Sequence, residues 1–180
     1  MDLHTTILGL LSWKPSSGYD LKRIISNSEI FYWSGNNNQI YKSLLELQQE
    51  KLVTCQVQLQ DSLPAKKIYS ITEQGLANLH HSLLAAPQLP DLHKSFLIQL
   101  AWAEVLSDEE VLALLDGYAG EVSNRLRMYL EQATRPNQGP DRSRREQYLW
   151  RRMTDNLVAT YQAELDWVRQ TQQALREGKY

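Results

Sequence analysis

The chain is almost without cysteine and has no excess of positive charge. Its one cysteine, Cys55, excludes an internal disulfide and any cysteine-based zinc cluster. Nineteen Lys and Arg stand against 21 Asp and Glu, for a formal net charge of −2. No global basicity announces a nucleic-acid partner, so any DNA contact must rest on locally placed cations. No phosphate loop, nucleophile elbow, pair of catalytic acids or zinc pattern occurs, and an enzyme is not expected. No apolar run approaches the roughly 20 residues that a membrane-spanning helix needs. The start, Met1-Asp2-Leu3-His4, lacks the basic region of a secretory signal. The expectation is a cytoplasmic protein without a membrane partner. What the chain does have is an ordinary apolar content of 42% over 180 residues, enough for one domain or a small domain with an appendage.

The N-terminal half changes period twice. Thr5 to Trp13 is a short apolar segment, broken by Lys14-Pro15-Ser16-Ser17-Gly18. Ser17 can cap a second helix over 18–28, with Asp20 near its positive end. After the break at Trp33-Ser34-Gly35, helical spacing returns from Asn36 to about Glu50, with Ile40, Leu44, Leu45 and Leu47 as the apolar stripe. The period then shortens. Val53, Cys55, Val57 and Leu59 alternate as on a half-buried strand. Asp61-Ser62-Leu63-Pro64 reads as a turn, and Lys66 to Ile71 as the returning strand, before a helix capped by Thr72. Three helices, a hairpin and a helix is the order of a winged helix-turn-helix.

Ala86-Pro87-Gln88-Leu89-Pro90 marks a boundary, dividing the chain into residues 1–86 and 87–180. The second part reads as entirely helical. Its first segment runs over 92–105. Ser107-Asp108-Glu109-Glu110 is a capping box, with Leu106 and Val111 as its hydrophobic staple. The helix it opens should reach about Gln132 and stop at Arg135-Pro136-Asn137-Gln138-Gly139-Pro140. The last helix, over 141–177, holds no glycine or proline and would be on the order of 55 Å long. Leu149, Met153, Leu157, Tyr161, Leu165 and Val168 lie on its apolar stripe. So long a stripe needs another long helix against it, and a second copy of the chain is the simplest source. The fold expected is mostly α: an N-terminal winged helix-turn-helix and an all-helical C-terminal dimerisation domain with a long, coiled-coil-like last helix.

Several pieces are specific as an ordered set: Gly18-Tyr19-Asp20-Leu21, Trp33-Ser34-Gly35, Gln39-Ile40-Tyr41, Leu52-Val53, and Pro64-Ala65-Lys66-Lys67-Ile68-Tyr69-Ser70-Ile71-Thr72-Glu73-Gln74-Gly75. This set resembles the PadR family of regulators over about the first 80 residues. The helical remainder looks, by architecture, like the C-terminal dimerisation domain of the larger PadR subfamily, related to virulence activators. The resemblance implies a transcription regulator, read as a repressor, that binds double-stranded DNA as a homodimer. A small aromatic effector could relieve it. Three departures from the family pattern stand out: Gln48 or Gln49 replaces the usual glutamate of the third helix, Lys42 stands where proline is usual, and Lys51 where glycine is usual before Leu-Val. Glycine suits that helix end because it tolerates positive φ; Lys51 must adopt that conformation at a cost, or the helix must end otherwise.

The third helix would enter the major groove with its N-terminal residues near base edges. Asn36, Asn37, Asn38 and Gln39 stand there, and asparagine pairs bidentately with adenine. Asn36 is better read as the cap. Gln39 has two readings, base contact or a backbone bond that holds the helix. Tyr41 reaches a phosphate or packs in the core, and Lys42 meets phosphate or is simply solvated. In the wing, Lys66 and Lys67 point to opposite faces, and Lys66 is the better candidate for the DNA backbone. Tyr19 either meets a phosphate at the start of the second helix or packs between helices. Residues 1–75 hold seven Lys and Arg against seven Asp and Glu. A lone unit of zero net charge should bind weakly, and two joined units should read a near-palindromic operator.

Other features are weighed against plainer roles. His80-His81 and His93 lack ligand spacing, so no metal or other cofactor is expected. Cys55 reads as a buried, inert thiol. Trp102 and Trp150 are the candidates for an effector pocket, with packing the plainer role for both. Gly117 and Gly120 would allow a close helix approach or a kink. The competing functions are a winged-helix protein-interaction module and a ligand sensor without sequence-specific DNA binding.

Overall fold

A computed structural model describes residues 3–27, 38–60, 63–89, 94–134 and 143–179. The expectations on Asn36, Asn37, the Trp33 turn, Asp61, Ser62, Leu92, His93 and the break over 135–140 lie outside these residues. The chain forms two compact units, Met1–Leu89 and Pro90–Tyr180.

The first unit contains α1 (Leu3–Trp13), β1 (Ser16–Ser17), α2 (Gly18–Ser26), α3 (Asn38–Gln49), β2 (Val53–Gln60), β3 (Leu63–Ile71) and α4 (Glu73–Leu83). The three strands form one antiparallel sheet in the order β1-β3-β2. The short strand β1 was not legible from the sequence. It places Ser16 opposite Tyr69 and Ser17 opposite Ile68, which carries the start of α2 onto the sheet. The core gathers Ile7, Leu8 and Leu11 from α1, Leu21 and Ile25 from α2, Leu44 and Leu47 from α3, and Val53 and Tyr69 from the hairpin. On α3 the buried positions are Ile40, Ser43, Leu44 and Leu47, one helical face. Leu45, expected in that stripe, is 52% exposed: one residue past Leu44 turns about 100° away from the core.

Of the three caps expected in this unit, the two within the described residues form. Ser17 accepts a hydrogen bond from the Asp20 amide, and Thr72 accepts one from the Gly75 amide. Helix α3 ends with Lys51 at φ 58°, the only non-glycine residue with positive φ among the described residues. The Leu52 amide donates to the Leu47 carbonyl and the Lys51 amide to the Gln48 carbonyl. This is the Schellman ending that glycine normally supplies, here formed around a lysine. Along β2 the inward face loses its cover: Val53 is buried, Cys55 half-buried and Val57 61% exposed. The far part of the hairpin thus leaves the core as a wing. Cys55 packs against the core edge but is not fully buried.

The second unit contains α5 (Ser95–Ala101), a 3-10 turn (Ala103–Val105), α6 (Asp108–Thr134) and α7 (Arg144–Arg176). The capping box closes reciprocally: the Ser107 amide donates to Glu110 at 2.8 Å and the Glu110 amide to the Ser107 hydroxyl at 3.3 Å. Helices α6 and α7 pack along each other. Leu115, Val122 and Leu126 of α6 meet Leu165 and Val168 of α7 in two apolar clusters. Helix α6 runs on through Gly117 and Gly120, and a Cβ at either would meet nothing within 4 Å, so neither glycine serves the close helix approach expected of it.

The last helix was expected to need another long helix, with a second copy as the simplest source; for part of its length α6 of the same chain is that helix. The C-terminal part of α7 is covered within the chain: Leu165 and Val168 are buried, and Tyr161 stacks on Tyr129 with ring centroids 5.4 Å apart. Leu157 is half-buried. At the other end Tyr148, Leu149 and Met153 remain 61%, 49% and 38% exposed. No helix among the described residues is long and apolar enough to cross a membrane.

Candidate nucleic-acid interface

The outward side of α3 follows from its buried side. With Ile40, Leu44 and Leu47 turned inward, Asn38, Gln39, Tyr41, Lys42 and Leu45 are left exposed. Four of these five were expected to meet DNA; Leu45, beside Leu44 in an apolar pair, was expected in the buried stripe. The inward half of Tyr41 has a definite role. Its ring lies over the start of α2, where a Cβ on Gly18 would come within 2.7 Å of Tyr41 Cε1. The packing reading of Tyr41 thus holds for its ring, while the residue as a whole stays 45% exposed. Lys42 is 77% exposed at its side chain, with Nζ 3.6 Å from Glu46 Oε1. The other oxygen of Glu46 lies 3.0 Å from Nε2 of His4 on α1. Glu46 thus ties α3 to α1 and shares its charge with Lys42.

The wing reaches the same edge. Lys66 stands opposite Gln58 and Lys67 opposite Val57 in the β2–β3 ladder. Lys66 shares its face with Ile68, the partner of Ser17, and so points towards the start of α2. Its Nζ lies 3.0 Å from Asp20 Oδ2. That carboxylate also accepts from the Ser17 hydroxyl at 2.7 Å, and Arg23 approaches its other oxygen at 3.9 Å. The hydrogen bonds from Ser17 and then Lys66 hold the Asp20 carboxyl below its ordinary range, outweighing partial burial. Lys67 is exposed on the other face. Tyr19 is 64% exposed at the first turn of α2, so packing between helices does not account for it. Neither Asp20 nor Arg23 was singled out from the sequence as part of this edge.

In the second unit the tryptophans separate. Trp102 is 75% exposed at the end of α5, Trp150 is half-buried on α7, and Trp167 meets Phe96 edge-on at 6.3 Å. Phe96 stacks on Tyr118, whose hydroxyl donates to Glu164 at 2.7 Å; Lys94 also pairs with Glu164. Burial alone would raise the Glu164 carboxyl, but the bonds from Lys94 and Tyr118 bring it below its ordinary range. Tyr118 is pushed far up, first by burial and then by the carboxylate it serves.

Comparison with known proteins covers both halves. Residues 7–81 match the transcriptional regulator PadR-like family, and residues 93–176 match the virulence activator alpha C-terminal family. The negative transcriptional regulator PadR of Bacillus subtilis is 31% identical over 109 residues, 60% of this chain and 60% of that protein. The match thus spans less than two thirds of that relative's length. Two crystal structures of Bacillus subtilis PadR share the fold. The complex with operator DNA has a TM-score of 0.80 at 23% identity, covering 96% of this chain and 98% of that one. The complex with p-coumaric acid has a TM-score of 0.75 at 22% identity, covering 97% and 98%. With both halves matched in order, and with the wing and the helix that precedes it in place, the chain carries a domain of the PadR-like family of transcriptional regulators followed by a helical half of the virulence activator alpha C-terminal family.

Proposed function

We propose that the chain is a repressor that binds a near-palindromic operator as a homodimer, with residues 1–86 as the DNA-binding domain and 87–180 as the dimerisation domain. The observation that carries this reading is a continuous polar edge. It runs from Asn38 and Lys42 on α3, over the Tyr41 ring on Gly18, to Asp20 and wing Lys66. Asn38 and Gln39 stand at the start of the helix that would enter the major groove, where amide side chains can read adenine. Leu45, one to two turns on, suits apolar contact with a thymine methyl. Lys42 and Lys66 are the phosphate contacts, with Lys67 and the Tyr19 hydroxyl at the margins; Asn36 and Asn37 would precede them as cap and base contact.

Zero net charge in residues 1–75 makes a lone unit a weak binder, so two linked units are needed to reach two half-sites about one helical turn apart. The exposed Tyr148, Leu149 and Met153 on α7 are the surface that a second copy would cover. The name of the Bacillus subtilis relative, a negative regulator, favours repression, and its complex with p-coumaric acid favours relief by a small aromatic acid. Trp102 and Trp150 are the reporters for such an effector.

The test is a mobility shift of the purified protein on the promoter of its own or the adjacent gene. Asn38→Ala with Lys42→Ala should abolish the shift while leaving the dimer intact in analytical ultracentrifugation. A wild-type protein with no sequence preference at moderate salt would sink the proposal.

A further inference from the structure

We propose that Asp20 is a positioning residue for DNA binding: its carboxylate anchors the wing's Lys66 over the first turn of α2, where the lysine can meet a phosphate of the DNA backbone. The inference rests on the DNA-binding reading above and deepens it. A carboxylate at an edge that meets phosphate should, by charge alone, weaken binding. Asp20 nevertheless sits at the centre of that edge, 3.0 Å from Lys66 and 3.9 Å from Arg23.

The surroundings show how the anchor is built. Ser17 caps α2 through the Asp20 amide and donates its hydroxyl to Asp20 Oδ2, so the side chain is fixed from two directions. Ser17 is itself held by β1 against Ile68 of β3, two residues from Lys66 and on the same face. The serine that holds the anchor and the lysine that the anchor holds thus lie on the two strands of one antiparallel pair, so a shift of the wing along α2 would disturb both the strand pairing and the ion pair. A lysine ammonium has three donors; one meets Asp20 and the others stay available to phosphate. The pair is partly exposed, with side chains 36% and 30% accessible, so it adds little to folding. Its effect is on where the wing's charge stands, and an ordered lysine gives up less conformational freedom on binding.

Charge and positioning predict opposite signs, which makes the experiment decisive. Full-length wild type, D20N, D20E, K66M and D20N/K66M are titrated onto a labelled duplex of the operator over a range of salt. D20N should bind about five- to tenfold more weakly although each protomer loses a negative charge. Its salt slope should fall by about 0.9 for each lysine that no longer reaches a phosphate. D20E should recover most of the affinity, and D20N should cost nothing further in the K66M background. D20N binding as tightly as wild type, or losing as much without Lys66 as with it, would overturn the inference while leaving the DNA-binding reading intact. A second measurement needs no DNA: the Asp20 carboxyl, followed by NMR, should titrate higher in K66M than in wild type. No change there overturns the anchor by itself. A wild type that prefers no duplex, with the Asp20 titration responding to K66M, fails the DNA-binding reading and removes the role proposed for the pair.

Discussion

The hydroxyl of Thr72 lies 3.0 Å from the carbonyl oxygen of Leu52, and the Thr72 amide donates to the same oxygen at 3.0 Å. Leu52 follows the end of α3, and Thr72 caps α4. One carbonyl therefore joins the helix that would read DNA to the helix that closes the unit. Gly75 completes this junction: a Cβ there would stand 2.1 Å from the Leu52 oxygen and 2.8 Å from Ile71 Cγ1. An alanine in a helix is ordinarily better than glycine by about 1 kcal/mol. Here the sign should invert. Gly75→Ala is expected to destabilise the first unit by about 2–4 kcal/mol, because backbone must move to make room. Thermal unfolding followed by circular dichroism should show a melting point lower by roughly 10–30 °C, by the usual scaling for a small domain; an unchanged or raised one would refute the close approach.

Lys51 offers the reverse change. Its φ of 58° places a side chain in the left-handed region, at a cost on the order of 1 kcal/mol. Its side chain is exposed, so little packing would go with it. Lys51→Gly should raise stability by up to about 0.5 kcal/mol after the greater entropy of an unfolded glycine is allowed for. Chemical denaturation would register this as a higher midpoint at constant slope.

The division of the α7 stripe gives separable variants. Leu165→Ala removes a buried side chain between α6 and α7 and should cost about 2–5 kcal/mol in folding. Leu149→Ser with Met153→Ser alters exposed positions and should leave helix content and melting almost unchanged. If the proposed dimer uses this surface, the second variant alone should sediment as monomer at concentrations where wild type is paired. A wild-type sedimentation profile for it would remove Leu149 and Met153 from the interface.

Glu164 links folding of the second unit to pH. Its carboxyl is lower than ordinary in the folded state, through Lys94 and Tyr118. The stabilisation is complete above the unfolded carboxyl value of about 4.3 and is lost as pH falls through the lower folded value. Glu164→Gln should therefore flatten the loss of stability with acid in that window, while at neutral pH it leaves Lys94 without its charged partner. Melting points of the two proteins from about pH 7 down to about pH 3, a range that brackets the carboxylate values, should converge; a constant gap would contradict the linkage.

Local patterns determined much of this molecule. A serine three residues before a carboxylate caps α2 and α6, and a threonine three residues before Gly75 caps α4, because these bonds close within one turn. Period alone separated the hairpin from the helices around it, and the family motifs supplied the order in which they assemble. The ends and pairings were decided elsewhere. β1 is two residues long and carries no period, so it exists only because β3 is there to bond it. Leu45 and Leu44 are indistinguishable as letters and differ only in which side of α3 meets the core. The α7 stripe reads as one surface in sequence, yet α6 covers its C-terminal part and leaves Leu149 and Met153 open. Asp20 and Lys66 are 46 positions apart in the chain, and no local pattern joins them. They meet because β1 pairs with β3. Helical and strand periods act over one or two turns, whereas partner choice depends on which distant surfaces can exclude water together, and that is settled only when the whole unit packs.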